Sequence, residues 1–490
     1  MGKGGVYAPK GEIPEYAEAF KNAGYGTSGN SKDVEARVVH QKGKPIKGQP
    51  EEGDFAVGAV TVKELGVAEV RVKTRWCSVD PYMKFPMRAP VPPTEPAGGA
   101  NCGECVGEVL ESECIGFKPG DIVRGRWGWG DVRNIHGADL TKLRTIHDGR
   151  PSTALGVLGM PGRTAYFGLF NILKPEPGQT IFISGGAGCV GSCVAQMAKA
   201  KGCKVFGSTT HASKVAWMES IGYEGVLNGY YMGGPPHYES ALRKLMPDGV
   251  DLFFDCVGGE LSEGVFRLLN DGGRVAVCGA MSNYCAANLG AALIGPLYSR
   301  RGLLCGLWNL ATNATEALNN LKFANMARVE TMKAMGAAHN LQEAPHDFEF
   351  PDGRKITWEA FVEGRFLVEE EEAEDYLAAM IDAGTLKYEE DIVVGDLDVI
   401  PDAFCRLFHG SNHGKMLVKL DPKIGAENKV KKAADMAERK KQRALDDEEM
   451  KRRDALLKDK QTAAWFADRA KRANEVWQAE VDDFMGPAKE

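Results

Sequence analysis

The chain has 490 residues, a net charge of −7, 43% hydrophobic and 26% charged side chains. That length predicts about two to four domains with ample core, and the acidic balance argues against a general nucleic-acid binder. No apolar run reaches the ~18–20 residues of a membrane span, and the first thirty residues carry no signal-peptide core.

Taken in order, residues 1–33 read as an N-terminal extension with one weak helix, Glu12–Ala23. From Val34 the texture becomes short β-patterned pieces at Ala36–His40, Phe55–Thr61, Val67–Trp76, Cys102–Leu110 and Asp121–Arg126. Turn-formers separate them, which predicts a mostly antiparallel β domain over 34–160. A helix then opens at Gly159, and strand and helix patterns alternate across 161–389. Strands are predicted at Ile181–Ser184, Lys204–Ser208, Asp251–Val257 and Arg274–Gly279. Helices are predicted at Val190–Lys201, Ser213–Ile221 and Leu261–Leu269. Such alternation predicts an α/β doubly wound parallel sheet covered on both faces.

Residues 306–355 interrupt the rhythm as an insert, with a helical stretch at Ala314–Ala338 and a polar, turn-rich piece at Pro345–Arg354. A helix at Glu370–Ala383 leads to a last β-patterned portion, Asp391–Leu420. After Pro422 acids and bases become dense and nearly balanced, which predicts a charged helical tail over 421–490. Twelve cysteines are scattered through the chain, several in apolar runs. They read as reduced thiols in a cytoplasmic or other reducing compartment, an organellar or assembly-bound place remaining open.

The chemistry concentrates where strand Ile181–Ser184 runs into Gly186-x-Gly188-x-x-Gly191. Glycines there allow a tight turn, close approach of a pyrophosphate, and close helix–strand packing, with phosphate at the helix N-terminus. The strand and helix context turns a common glycine pattern into a dinucleotide site. NAD-selective sites usually place an acid at the end of the second strand. Here Gly207-Ser-Thr-Thr-His-Ala-Ser-Lys214 has none, and Ser208 and Lys214 suit a 2′-phosphate, so NADPH is the expected cofactor. No Gly-x-Ser-x-Gly elbow appears for nucleophilic catalysis.

Six motifs stand in order: Ser78-Val-Asp-Pro-Tyr-Met-Lys84, Gly159-Met-Pro-Gly-Arg-Thr-Ala-Tyr166, the glycine turn, Phe254-Asp-Cys-Val-Gly-Gly-Glu260, Gly273-Arg-Val-Ala-Val-Cys-Gly279 with Ser282-Asn-Tyr284, and Asn412-His-Gly-Lys415. With them the chain resembles the zinc-independent medium-chain dehydrogenase/reductase superfamily, in its prostaglandin reductase and 2-alkenal reductase branch. The resemblance covers roughly 35–305 and 356–420. It implies a GroES-like domain from 34–160 completed by 390–420, around the Rossmann domain. It implies that Gly186, Ala187, Gly188, Val190 and Gly191 line the pyrophosphate and Lys214 the 2′-phosphate. Cys256, Val257, Cys278 and Gly279 would border ribose and nicotinamide, Tyr284 and Asn412 would close over nicotinamide and substrate, and Tyr82 and Met83 would face the cleft. A tyrosine that often joins the 2′-phosphate site is shifted by one residue, to Tyr230.

The implied reaction is hydride transfer from NADPH to the β-carbon of an α,β-unsaturated ketone or aldehyde, with Tyr284 or the cofactor ribose hydroxyl stabilising the enolate. Zinc is not expected: Cys102-x-x-Cys105 with Cys114 lacks a fourth ligand, and Cys77 has no Gly-His-Glu partner. Within the family dimers are common, so a homodimer through edge strands of the Rossmann sheet is an expected state. Lys84 stands where the family usually has Arg, and Cys285 where it usually has Asn. The large apolar residues in 427–485, Trp465 and Trp477 among them, either dock a protein partner or assembly, or pack back on the body. A second reading follows from the extensions: a reductase-derived structural subunit that keeps its nucleotide and has lost catalysis.

Overall fold

The computed structural model describes residues 31–100, 102–228, 235–285, 345–350, 352–361 and 363–421. The expected helices at Glu12–Ala23 and Ala314–Ala338, Tyr230 and the 427–485 tail lie outside the described residues. The N-terminal part is built of β1 (Val34–Gln41), β2 (Phe55–Val62), β3 (Glu69–Ser78), β4 (Glu104–Ser112), β5 (Ile122–Arg126), β6 (Val132–His136) and β7 (Leu140–Lys142). β1 and β2 pair antiparallel along their whole length, Val34 opposite Val62 through Gln41 opposite Phe55. The other strands form a sheet that two distant strands complete. Its order is β15 (Glu390–Gly395), β16 (Lys415–Leu420), β3, β4, β5, β7, with β6 on the flank of β3. Trp127, Trp129, Val70, Val72 and Phe404 lie in the apolar core this sheet encloses.

The second sheet has the order β10 (Gly225–Asn228), β9 (Lys204–Thr209), β8 (Thr180–Ile183), β11 (Val250–Asp255), β12 (Leu269–Val277), β14 (Lys355–Ala360), β13 (His346–Glu349). All pairs are parallel except β13 on β14. Every side chain of β8, Thr-Ile-Phe-Ile, is buried, as a central parallel strand with helices on both faces requires. One face packs against α1 (Met160–Phe167), α2 (Cys189–Ala200) and α6 (Glu370–Asp382), the other against α4 (Pro235–Leu245) and α5 (Gly259–Leu268). A shorter helix, α3 (Val215–Ser220), follows β9.

Two segments differ from the sequence expectation. The turn-rich piece at Pro345–Arg354 contains β13, and Lys355–Ala360 supplies the sixth parallel strand. Ile356, Trp358 and Ala360 alternate inward along it, so the alternation was there, masked by the polar residues before it. The expected β portion Asp391–Leu420 is interrupted by a helix, α7 (Ile400–Phe408). Its Ile400, Ala403, Phe404 and Leu407 are buried at helical spacing. No described helix is long and apolar enough to cross a membrane.

A buried ion cluster ties the two sheets together. Arg163 on α1 donates to Glu363 (2.6 Å) and to Glu374 on α6 (2.7 Å). Arg124 on β5 also meets Glu374 at 2.7 Å. Burial opposes the charge on Glu374, yet Arg124 and Arg163 hold its carboxyl below the usual value. Replacing Arg163→Met strands the buried Glu363 carboxylate, while Glu374 keeps Arg124, so a loss of about 3 kcal/mol is expected by urea unfolding. The double replacement with Glu363→Gln should recover part of it. A loss within about 0.5 kcal/mol, as at an ordinary surface site, would show that the cluster is solvated instead.

Candidate active site

Strand order reverses between β8 and β11, and ligands of such sheets sit at the carboxyl ends beside that point. The turn after β8 occupies it. Gly185 takes φ +65°, so the left-handed residue of the turn is one position before the Gly186 expected from the motif. The turn is pinned from both sides. Gly186 N–H donates to the Ser208 carbonyl at 2.8 Å, and Gly188 N–H to the Gly185 carbonyl at 3.0 Å. A Cβ on Gly186 would stand 2.5 Å from the Tyr223 hydroxyl, and one on Gly191 would stand 2.7 Å from the Gly185 carbonyl oxygen. At Gly188 the only neighbour is that oxygen at 3.4 Å, which leaves this glycine's face open at the N-terminus of α2. Ala187 is buried and Val190 half-buried beside it.

The facing wall is set by Asp255. Its buried carboxylate accepts from the hydroxyls of Ser184 (2.7 Å) and Ser262 (2.5 Å) and from the N–H groups of Val257 and Gly258 (3.0 Å each). Burial pushes this carboxyl above its ordinary value while the hydrogen bonds pull it back. The Ser184 oxygen in turn accepts from Cys256 N–H at 2.8 Å, so the ends of β8 and β11 are locked together. Cys256 and Val257 therefore lie against the glycine turn. A Cβ on Gly185 would come within 3.5 Å of Val257 and 3.7 Å of the Cys256 Cβ.

At the end of β9, Ser208 is buried and serves the turn through its carbonyl. Lys214 is also buried, and burial pushes its ammonium down to about 8 despite the opposing charge of Asp391. No ion pair holds Lys214 among the described residues, an arrangement that fits an incoming anion. Across from it, His211 Nε2 lies 3.0 Å from the His409 carbonyl. The turn carrying Asn412 thus sits beside the β9 loop. Asn412 donates to the Gly414 carbonyl at 2.9 Å, and no recorded contact joins it to Tyr284 among the described residues.

Tyr284 lies beyond β12. Its hydroxyl accepts from Ala280 N–H at 3.3 Å, and burial raises the phenol well above its ordinary value. Gly279 is obligatory beneath it, since a Cβ there would meet that hydroxyl at 2.9 Å. Phe85 packs edge-on against the Tyr284 ring at 4.6 Å, and Arg88 donates to the Tyr284 carbonyl at 3.1 Å. Tyr82 stands on the same turn as Phe85. Its buried hydroxyl has no hydrogen-bond partner among the described residues, and burial raises it too. Lys415 anchors that turn, donating to Asp80 (2.7 Å), Ser78 (2.8 Å) and the Val79 carbonyl (3.1 Å). Lys84 is buried and donates to the Ile46 carbonyl, a structural use.

The structure therefore brings Gly186, Gly188, Gly191, Ser208, Cys256, Val257, Cys278, Gly279 and Tyr284 to the carboxyl ends of neighbouring strands, with Lys214 in the turn that follows β9. The sequence reading missed Asp255, Phe85 and Arg88. Asp255 was inside a quoted motif, but its role depends on β8 and β11 being neighbours. The expected structural thiols find backbone partners: Cys105 Sγ reaches the Gly128 carbonyl at 3.2 Å, and Cys102 the Met83 carbonyl at 3.9 Å. Among the described residues, His, Cys, Asp and Glu form no group of three placed to hold a metal.

The glycines separate by experiment. Gly191→Ala pushes a methyl into backbone that cannot yield, and a loss of roughly 1–3 kcal/mol is expected in urea unfolding. Gly188→Ala should stay within about 1 kcal/mol of the parent. Equal losses would show that the open face at Gly188 is not open.

Comparison with known proteins agrees with this geometry. Residues 189–319 match the family described as zinc-binding dehydrogenase, and residues 41–143 that described as N-terminal domain of oxidoreductase. YfmJ of Bacillus subtilis (strain 168), named as an NADP-dependent oxidoreductase, is 33% identical over 381 residues, 77% of this chain and 96% of that protein. Prostaglandin reductase 1 of Mus musculus is 40% identical over 243 residues, 49% of this chain and 71% of its own. The solved structure of CurA from Vibrio vulnificus with NADPH is 26% identical, with a TM-score of 0.60, covering 79% of this chain and 99% of its own. The chain belongs to the zinc-independent medium-chain dehydrogenase/reductase superfamily, in the branch that holds the prostaglandin and 2-alkenal reductases.

Proposed function

We propose that this NADPH-dependent oxidoreductase reduces the carbon–carbon double bond of α,β-unsaturated ketones or aldehydes. The observation that carries the reading is the Tyr82 hydroxyl, buried and without a partner among the described residues, on the turn that also packs Phe85 against Tyr284. Phenol O–H donors at Tyr82 and Tyr284 would suit a substrate whose carbonyl oxygen gains charge during reaction. When bound, NADPH supplies the hydride that goes to the β-carbon.

The chain's own residues do the rest. Gly188 leaves the α2 N-terminus accessible to the pyrophosphate, and Lys214 pairs with the 2′-phosphate. Cys256, Val257, Cys278 and Gly279 border the ribose and nicotinamide. Tyr82 and Tyr284 offer O–H donors to the carbonyl oxygen, so that enolate charge is met by a hydrogen bond rather than by apolar wall. The Tyr284 hydroxyl accepts from Ala280 N–H, which leaves its proton available to donate. Asn412 shapes the edge of the cleft beside the β9 loop.

Purified protein should oxidise NADPH in the presence of members of a 2-alkenal and enone panel. Failure across the panel, with NADPH bound, would sink the reading. Tyr284→Phe should lower kcat about 10–100-fold while leaving NADPH affinity within about threefold. Lys214 adds a pH signature. Its amine is near neutral above about 8 in the free protein, and a bound phosphate requires the charged form. NADPH affinity should therefore fall as pH rises through that value, by up to about tenfold per unit, while NADH affinity stays flat. Lys214→Met should abolish the difference between the two nucleotides; an unchanged preference would place the 2′-phosphate elsewhere.

A further inference from the structure

Thiols stand in facing pairs at three places among the described residues. Cys77 and Cys105 are opposite one another in the β3–β4 register, and both are buried. Cys189 and Cys193 are one turn apart on α2, and Cys193 is buried. In the third pair, Cys256 and Cys278, both residues are half-buried, and Cys256 lies against the glycine turn.

The sheet itself creates this pair. The parallel register of β11 and β12 runs to Asp255 opposite Val277, so the next residue of each strand is a cysteine. Cys278 N–H donates to the Asp255 carbonyl at 2.8 Å, which carries the strand spacing on by one residue. Neighbouring strands lie ~4.8 Å apart, inside the ~4.4–6.8 Å Cα window of a disulfide. Strand alternation puts Cys256 on the face of Leu252 and Phe254, and Cys278 on the face of Ala276, which is the same side of the sheet. The Cys278 thiol, and burial after it, hold the Cys256 thiol well above its ordinary value.

We infer that Cys256 and Cys278 form an oxidisable dithiol whose closure to a disulfide shuts the nicotinamide end of the crevice. The second half of this inference rests on the nucleotide placement proposed above. The oxidant is a hydroperoxide. One sulfur attacks its terminal oxygen; an S–O bond forms, the O–O bond breaks, and the alcohol leaves with the thiol's proton. The second sulfur attacks the sulfenic sulfur; the S–S bond forms, the S–O bond breaks, and the oxygen leaves as water with the second proton. Two thiols lose two electrons and one hydroperoxide gains them. The Cα spacing already suits a disulfide, so closure needs little backbone movement and fixes Cys278 beside a crowded neighbour. A Cβ on Gly279 would already meet the Tyr284 hydroxyl at 2.9 Å and the Cys256 carbonyl at 3.2 Å. The bridge also stands beside Gly185, against the turn that should hold the pyrophosphate.

The test uses the reduced full-length protein treated with hydrogen peroxide and digested without reductant. Trypsin cuts after Arg267 and Arg274, between the two cysteines, so the bridge appears as a linked peptide. NADPH binding, read by calorimetry, should weaken at least about tenfold, a ~1.4 kcal/mol loss, and return with dithiothreitol. Cys278→Ser should give no linked peptide, and its own NADPH affinity should not respond to peroxide. Linkage to other cysteines, over-oxidation without the bridge, or a bridged protein that binds NADPH as before would each overturn the inference. Reduced protein that fails to bind NADPH would sink the nucleotide placement instead, while the linked peptide still decides whether the dithiol exists.

Discussion

One buried carboxylate organises the crevice. A charged side chain inside a sheet is costly unless its oxygens are filled with donors. Asp255 meets that condition with two hydroxyls and two backbone N–H groups drawn from the end of β8, its own turn and the first turn of α5. The donors are the very groups that would otherwise be orphaned where the strands stop. Satisfying the carboxylate therefore also fixes the height of the β8 turn against Cys256 and Val257. The pairing of β8 with β11 ends at Ile183 opposite Phe254, and these bonds carry the alignment on past it.

The two sheets are joined unequally, and burial decides which joint is strong. Arg163, Arg124, Glu363 and Glu374 form a cluster in which both Arg163 and Glu374 are almost wholly buried. Separating them would leave charges in apolar surroundings, so this joint resists opening. The contact between His211 and the His409 carbonyl is made by half-buried or exposed groups, where water substitutes readily. The side of the ion cluster is therefore held more firmly than the side where the β9 loop meets the turn after α7.

Sequence legibility follows the same physics. The β8–α2–β9 unit was readable because its apolar runs and glycines obey local rules, and the boundaries shift by only one residue. Ile400–Phe408 was misread because a short, densely apolar segment between two strands satisfies either period, and tertiary burial on α7's inner face decides it. Lys355–Ala360 was hidden behind the insert although its alternation is regular. In the site, Lys214 was legible as a basic residue in place of an acid. Its burial was not, because burial is a property of the folded neighbourhood. The same holds for Tyr82, whose hydroxyl is seen to lack a partner among the described residues only when the surrounding side chains are in place.

The glycine turn shows how one residue type serves separate constraints. Gly185 is needed for its backbone, since a left-handed φ is strained for any residue with a Cβ. Gly186 and Gly191 are needed for space, the first against the Tyr223 hydroxyl and the second against the backbone of Gly185. None of these requirements concerns a ligand; they would hold in a protein that binds nothing. Gly188 is different. The fold does not forbid a side chain there, because its nearest neighbour is a carbonyl at ordinary contact distance. A side chain at this position would instead project into the open space at the N-terminus of α2. Within a motif written as one pattern, the steric constraints fall on Gly186 and Gly191 and not on Gly188.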